Sequence, residues 1–539
     1  MVDTSHPGGA ERIPLFAPKL ITIFREGYRL TDLRADALAG LTVAIVALPL
    51  SMAIAIASGV GPERGLITAI VGGFLVSVFG GSRFQIGGPA GAFIVLVSAC
   101  VASIGLPGLI VATFLSGFIL ATAGLLRLGG YVRFLPYPVT LAFTAGIALI
   151  ILASQVKDLL GLTLGHEPAA LLPKLQALWV ARETINPAAL ALAGLTIALI
   201  LILRRLRPRW PGLLMAIAVA AFVAWGLGLP VETIGSRFGA LPRMLPAPVL
   251  PDLTLFGEAL PWAASFALLG AIESLLSAVV ADGMSGRLHR PDTELIGQGI
   301  ANIGAALFGG FCVTGTIART ATNVRAGSRG PVSGMLHALF LLAFLLIAAP
   351  LAAYIPLAAL AGLLAVIAWS MAEKAEIWAL IRASRADAVV IVVTFLLVVF
   401  RDLTEGIVAG FALGGLVFIR RMAGTAQILT EHPEDAVDEQ TLVVRLQGPW
   451  FFGAAALTGA ALDRIADHPR RIVLDFAAVP LIDSSGARTV ERLAQRVHRM
   501  GGELALTATR PEVRRLLAAQ GLAEPKVRFF PDIASARKR

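Results

Sequence analysis

The chain has little with which to do covalent chemistry. Only two cysteines occur in 539 residues, Cys100 and Cys312. Both lie in apolar stretches, so neither a disulfide framework nor a zinc set is available. No His or Asp partner is in view to activate Cys312, which reads as a small apolar residue. The seven histidines show no H-x-x-H or comparable metal spacing, so no metal is expected. No G-x-x-x-x-G-K-[ST] loop occurs, so nothing points to direct coupling to ATP. Without a nucleophile–base set, an enzyme is not expected, nor is a cofactor.

Charge is scarce too. Only 15% of residues are charged and 57% are hydrophobic, whereas a soluble domain carries about 25% charge. With a mean hydropathy of +0.80, the chain reads as a polytopic α-helical membrane protein, with the lipid bilayer as its first partner. The net charge of +10 does not call for nucleic acid. It is explained by where the arginines fall. Residues 1–37 are polar and mixed in charge, and predict a cytoplasmic segment with no cleavable signal peptide. The Ala/Arg/Gly-rich usage suggests a GC-rich bacterium, hence an inner-membrane protein.

Fourteen candidate spans follow, at about 38–58, 64–80, 89–104, 108–126, 134–153, 188–204, 212–229, 260–281, 294–309, 317–326, 333–353, 355–370, 387–401 and 403–420. With the N-terminus inside, the inner loops gather Arg127 and Arg133, Arg204 to Arg209, Arg287 and Arg290, Arg325 and Arg329, then Arg382 and Arg385. An internal repeat divides this transmembrane region, 38–421, into halves of about 38–229 and 260–421. Val78-Phe79-Gly80-Gly81 recurs as Leu307-Phe308-Gly309-Gly310, an offset of 229 between Phe79 and Phe308. The same shift lays Gly87-Gly88-Pro89-Ala90-Gly91 over Thr316-Ile317-Ala318-Arg319-Thr320. Seven spans per half force the second half to be inverted, the plan of transporters whose site lies at the midplane.

After Arg421 the composition changes. Residues 422–440 read as an acidic linker, and 441–539 as a small cytoplasmic α/β domain. Strands are expected at 442–446, 471–476 and 503–506, with helices at 453–467, 485–500 and 511–520. Asp483 and Ser484 stand where they can cap the second of these helices.

Two charges in the spans ask for a reason. An arginine at mid-membrane depth costs about 2.5–3.5 kcal/mol even on the lenient insertion scale. Arg319 stands in Val313-Thr314-Gly315-Thr316-Ile317-Ala318-Arg319-Thr320. Thr316, Ala318, Arg319 and Thr320 at a helix start form a seat for an anion, because a helix N-terminus offers free N–H groups and partial positive charge. Arg319 either touches the anion or braces the helix start against Glu273 or backbone carbonyls. Glu273 is a carboxylic acid in mid-span, costly to ionise, which suits a proton-coupling group. Ser277 lies one turn on along the same face. Glu273, Ser277 and Thr316 offer oxygens that suit Na⁺ as the alternative coupling ion. A permanent Glu273–Arg319 pair is the structural alternative. Pro49 is expected to break span one, and Asp282 to be a solvated cap. Gln85 either polarises the seat or makes a loop hydrogen bond.

The Pro480-Leu481-Ile482-Asp483-Ser484-Ser485-Gly486 loop resembles that of STAS domains, in whose soluble relatives the second serine, here Ser485, is phosphorylated. Asp483, Ser484 and Ser485 are therefore regulatory candidates, with a cytoplasmic protein as partner. Together with Ala47–Ala53, Ile272–Asp282 and Thr314–Val324, this tail makes the chain similar to the SulP sulfate-permease family of anion transporters. The resemblance implies a UraA-like seven-plus-seven inverted repeat split into core and gate domains, elevator-like alternation and a homodimer. It places the anion between the half-helices of spans three and ten, at Gly88, Pro89, Ala90 and Gly91 and at Thr316, Ile317, Ala318 and Arg319. Leu50 and Ile54 of span one are the counterparts of pocket-lining residues. The expected function is symport of sulfate or bicarbonate with H⁺ or Na⁺. The alternatives are a C4-dicarboxylate symporter, an anion channel and a membrane-held signalling protein.

Overall fold

The computed structural model describes residues 16–134, 136–164, 168, 170–207, 210–401, 403–430, 441–454 and 471–538. The first part of the N-terminal segment, the acidic run at 431–440 and most of the helix expected at 453–467 lie outside these. The chain divides into two compact units, Met1–Gly410 and Phe411–Arg539.

The first unit is helical. Its order is α1 (Leu30–Ala57), α2 (Pro62–Phe79), β1 (Gly87–Gly88), α3 (Gly91–Leu125), α4 (Tyr137–Leu160), α5 (Pro187–Leu206), α6 (Gly212–Gly226), α7 (Leu253–Ser285), α8 (Pro291–Leu307), β2 (Thr314–Gly315), α9 (Ile317–Arg325), α10 (Val332–Ile347), α11 (Leu357–Met371), α12 (Arg385–Phe400) and α13 (Leu403–Ala423), whose last turns belong to the second unit. Among the described residues nine helices are long and apolar enough to cross a membrane. Prolines open α2, α5 and α8, where the missing N–H leaves no hydrogen bond unmade. Spans three and four form one run, α3, broken where Gly105 takes φ 71° and ψ −177° just ahead of Pro107. Pro49 lies inside an uninterrupted helix. The break expected there is absent, and α2 instead carries a π-turn at Thr68–Gly72.

The helices sort into two bundles. α1, α2, α3, α7, α8 and α10 pack on one another, as do α4, α5, α11 and α12. In the first bundle α3 and α8 meet at bare backbone. A Cβ on Gly117 would lie 2.6 Å from the Gly299 carbonyl oxygen, and one on Gly299 would lie 2.5 Å from that of Gly117. Such contacts are how helices bind where lipid removes the hydrophobic incentive.

Both halves run helix, two-residue strand, helix. The strands β1 and β2 pair antiparallel, Gly87 with Gly315 and Gly88 with Thr314, the relation an inverted repeat requires. The register differs from the 229-residue shift. Ala90 and Thr316 are the two helix N-caps, an offset of 226. Gly91 lies twelve positions after Phe79, and Ile317 nine positions after Phe308. Pro89-Ala90-Gly91 therefore answers to Gly315-Thr316-Ile317, not to Ala318-Arg319-Thr320.

The second unit holds a five-stranded sheet, β3 (Gln427–Thr430), β4 (Thr441–Gln447), β5 (Arg471–Ala478), β6 (Glu503–Thr507) and β7 (Arg528–Phe530), in that order. β3 and β4 are antiparallel and the remaining pairs parallel. α14 (Ser484–Arg499) and α15 (Pro511–Ala519) join them. β3 falls inside the stretch expected as linker. The core is continuous from Val444 through Trp450, Phe476 and Val490 to Leu517.

Candidate functional site

The β1–β2 bridge brings two helix starts side by side. α3 begins just beyond Ala90 and α9 just beyond Thr316, and neither N-cap residue makes a side-chain capping bond. Each start then presents about half a positive charge and unspent N–H donors. Gly88, Pro89 and Ala90 are buried, while Gly91 is partly exposed and Ile317 and Ala318 are exposed. A Cβ on Gly91 would lie 3.4 Å from Ile151 Cδ1 and 3.8 Å from Met371 Sδ. The open side of the seat therefore looks from the first bundle toward α4 and the end of α11.

Arg319 runs behind that seat. It is 1% exposed. Nη2 donates to Ser51 Oγ and to the Pro89 carbonyl, each at 3.2 Å. Nη1 lies over Gly88, where a Cβ would come within 2.3 Å of it. Nε and Nη1 have no hydrogen-bond partner. Arg319 thus braces the helix start against a carbonyl and Ser51 rather than against Glu273, with two of its nitrogens left over. The permanent Glu273–Arg319 pair is not formed: Glu273 Oε2 is out of solvent reach and has no partner.

Ser277 Oγ donates to Thr320 Oγ1 at 3.0 Å, and Thr320 Oγ1 also accepts from the Ile86 N–H at 3.2 Å. Thr316 turns its N–H to the Ile86 carbonyl at 3.1 Å and its hydroxyl to the same oxygen at 3.5 Å. Thr314 Oγ1 donates to the Gly270 carbonyl at 3.2 Å, one turn before Glu273. Leu50 and Ile54 are buried on α1, on the helix that carries Ser51. Asp282 is no solvated cap. Its Oδ2 meets His289 at the backbone N–H, 3.1 Å, and at Nδ1, 2.6 Å, while α7 runs on to Ser285. Cys312 is buried, with Sγ 3.6 Å from Thr113 Oγ1.

Sequence reasoning passed over a polar seam on α8. Glu294, Gln298 and Asn302 are 0%, 0% and 2% exposed. Glu294 takes the loop before β1, including Gln85, and Asn302 holds Val313. The signal was available. Polar residues at i, i+4 and i+8 of a span share one face and need partners there. His337, wholly buried with both ring nitrogens unpartnered, was also passed over.

In the second unit Asp483 caps α14, accepting from the Gly486 N–H at 2.8 Å through Oδ1 and from the Phe452 N–H at 2.9 Å through Oδ2. Ser484 and Ser485 are exposed at the helix start.

The profile of the Sulfate permease family matches residues 33–394. The chain belongs to the sulfate permease family. The STAS domain profile matches residues 432–536. Members of this family are transporters, not enzymes. A putative sulfate transporter of Bacillus subtilis, YvdB, is 38% identical over 506 residues, 92% of this chain and 95% of its own. The bicarbonate transporter BicA of Picosynechococcus is 30% identical, covering 85% of this chain and 86% of its own. The solved transmembrane domain of a cyanobacterial BicA aligns with 72% of this chain and 98% of its own, at TM-score 0.63 and 30% identity. Murine Slc26a9, in an inward-facing state, aligns with 99% of this chain and 96% of its own at TM-score 0.86; at 18% identity it speaks for the fold. This sulfate permease homologue is thus a multi-pass membrane anion transporter with a core-and-gate helical fold and a STAS tail.

Proposed function

We propose that the chain is a secondary active transporter of a small inorganic anion, sulfate or bicarbonate, across the bacterial inner membrane. One observation carries the reading: the β1–β2 bridge holds two uncapped helix starts together, with the Arg319 guanidinium buried behind them. N–H donors and positive potential from three sources converge on one small volume. The anion is held at Gly88–Gly91 and at Thr316–Arg319 by backbone donors, with Arg319 supplying field strength from behind.

The coupling ion is a proton taken by Glu273. Its orphaned Oε2 supports this, as do the hydroxyls of Ser277 and Thr316, which are already committed to Thr320 and Ile86. Protonation removes the charge that resists movement of the loaded carrier. The bundle that carries β1, β2, α3 and α9 travels as a lift against α4, α5, α11 and α12. The fourteen helical segments cross the membrane with the STAS domain in the cytoplasm. A homodimer is the working assembly. The STAS domain tunes it through Asp483, Ser484 and Ser485 and a cytoplasmic protein partner.

The deciding experiment is a panel of labelled sulfate, bicarbonate and fumarate in proteoliposomes, under imposed pH and sodium gradients. Saturable, pH-driven accumulation of sulfate or bicarbonate is expected. Uptake of fumarate alone, sodium-driven uptake, or non-saturating current each overturns a named part of the reading.

A further inference from the structure

We propose that Glu294 is a positioning residue that sets the spacing of the two arms of the seat, acting through Gln85 on one side and along α8 to Asn302 on the other. The inference rests on the transport reading above and names what keeps its seat in register.

The argument begins with the carboxylate. Glu294 Oε2 accepts the backbone N–H groups of Gly81 and Ser82 at 2.8 and 2.9 Å. Oε1 accepts the amides of Gln85 and Gln298 at 2.9 and 2.8 Å. Four donors converge on a group that is fully buried. Only an acceptor with several lone pairs can serve them. Residues 81–85 are the approach to β1, so Glu294 fixes the first arm.

Eight residues on, Asn302 fixes the second. Its Oδ1 accepts the Val313 N–H at 2.9 Å, and its Nδ2 donates to the Val313 carbonyl at 2.9 Å and to that of Gln298 at 2.8 Å. Val313 immediately precedes β2. A helix rises 1.5 Å per residue, so the two clamps are about 12 Å apart on a rigid rod. Gln85 closes the circuit. A Cβ on Gly315 would lie 1.7 Å from Gln85 Nε2, so the side chain held by Glu294 rests on the β2 backbone itself. Besides this rod the two arms are joined by the two-residue bridge, by the bonds of Ile86 to Thr316 and Thr320, and by those of Asn323 to the Phe84 carbonyl and of Arg319 to the Pro89 carbonyl, all of them farther along α9 or within the seat itself.

The clamp works through hydrogen bonds, which separates it from a counter-charge. Gln85 Oε1 and Gln298 Oε1 have no partners. In Glu294→Gln, a half-turn of each amide presents these oxygens to the new NH₂, while the new carbonyl keeps Gly81 and Ser82. Glu294→Leu leaves all four donors unmet.

The test uses the full chain in proteoliposomes with labelled sulfate and bicarbonate, beside amide hydrogen exchange of the purified protein. Glu294→Leu is expected to raise KM about tenfold, with a smaller change in kcat. It should speed exchange at residues 86–88 and 314–316 about tenfold, leaving α4 unchanged. Glu294→Gln is expected to match the wild type in both. Asn302→Ala, which leaves the Glu294 bonds in place, should repeat the leucine pattern from the other end of α8. Wild-type KM and exchange in Glu294→Leu and Asn302→Ala overturn the proposal. So does equal damage in the glutamine and leucine variants, which makes charge the agent. If the wild type moves neither anion, the transport reading fails, while the exchange comparison still decides on the clamp.

Discussion

At the scale of single residues, the site is a set of buried polar atoms whose partners are deliberately uneven. Arg319 uses one nitrogen on Ser51 and Pro89 and keeps two free, and Glu273 keeps Oε2 free. An unpaired buried polar atom costs about 1–3 kcal/mol, a cost that a bound proton or anion would offset at these two groups. Glu273→Gln is therefore expected to abolish pH-driven accumulation while leaving anion counterflow within about threefold, since Gln keeps the shape and loses the proton site. Normal accumulation in that variant would end the coupling role. Away from the membrane, a second titration can be read. Lys19, in the short helix Lys19–Arg25, donates through Nζ to the Leu288 carbonyl at 2.8 Å. Burial, with Arg290 and Arg83 beside it, pushes its pKa down to about 8. In the unfolded chain it titrates near 10.4. The native form sheds its proton first. The stability penalty is therefore full below pH 8 and disappears as pH rises toward 10.4. Lys19→Met should raise the thermal midpoint in detergent by a few degrees at pH 7 and by less at pH 10. An offset independent of pH would show that packing alone is at work.

At the scale of elements, β1 and β2 decide the geometry, and both depend on glycine for room. The atoms that crowd Gly88 and Gly315 are the far ends of the Arg319 and Gln85 side chains. Gly315→Ala is therefore expected to leave the fold intact, to displace Gln85 from Glu294, and to lower kcat/KM about tenfold. Sulfate or bicarbonate flux checks this, with monodispersity on gel filtration as the fold control. Wild-type kcat/KM would show that the contact is slack. Much at this scale was legible in the sequence. Long apolar runs, alternation of arginine between loops and the repeated Phe-Gly-Gly gave the helices, the two halves and the neighbourhood of the seat. What was not legible has physical reasons. The repeat is anchored on a packing tripeptide, and the chain between that anchor and the seat differs by three residues in the two halves. Pro49 was expected to interrupt α1, but packing on neighbouring helices carries the helix through it. Ser51 and the Glu294–Gln298–Asn302 seam are short polar letters in apolar text. For Ser51 and Glu294 the meaning comes from partners over 200 residues away, and for Asn302 from Val313 beyond the end of its own helix.

At the scale of the molecule, two units with separate cores occupy one chain. The boundary falls within α13. The STAS unit closes its own sheet with β3, and its core from Val444 to Leu517 is drawn from its own strands and helices. The bundle that holds the seat draws every contact described above from residues before 411. Each unit thus has what it needs to fold apart. The place to cut follows from β3: a truncation at 430 leaves Gln427–Thr430 as an unpaired edge, which invites aggregation, whereas one after Ala423 removes the whole sheet. Removal of residues 424–539 is expected to leave saturable, pH-driven uptake in proteoliposomes within about tenfold of the full chain, with any loss falling on kcat rather than KM. The seat and its clamp lie wholly in what remains. Complete loss of uptake in a truncated protein that still elutes as a single species and still protects the amides of β1 and β2 from exchange would make the STAS unit part of the moving machinery instead of its regulator.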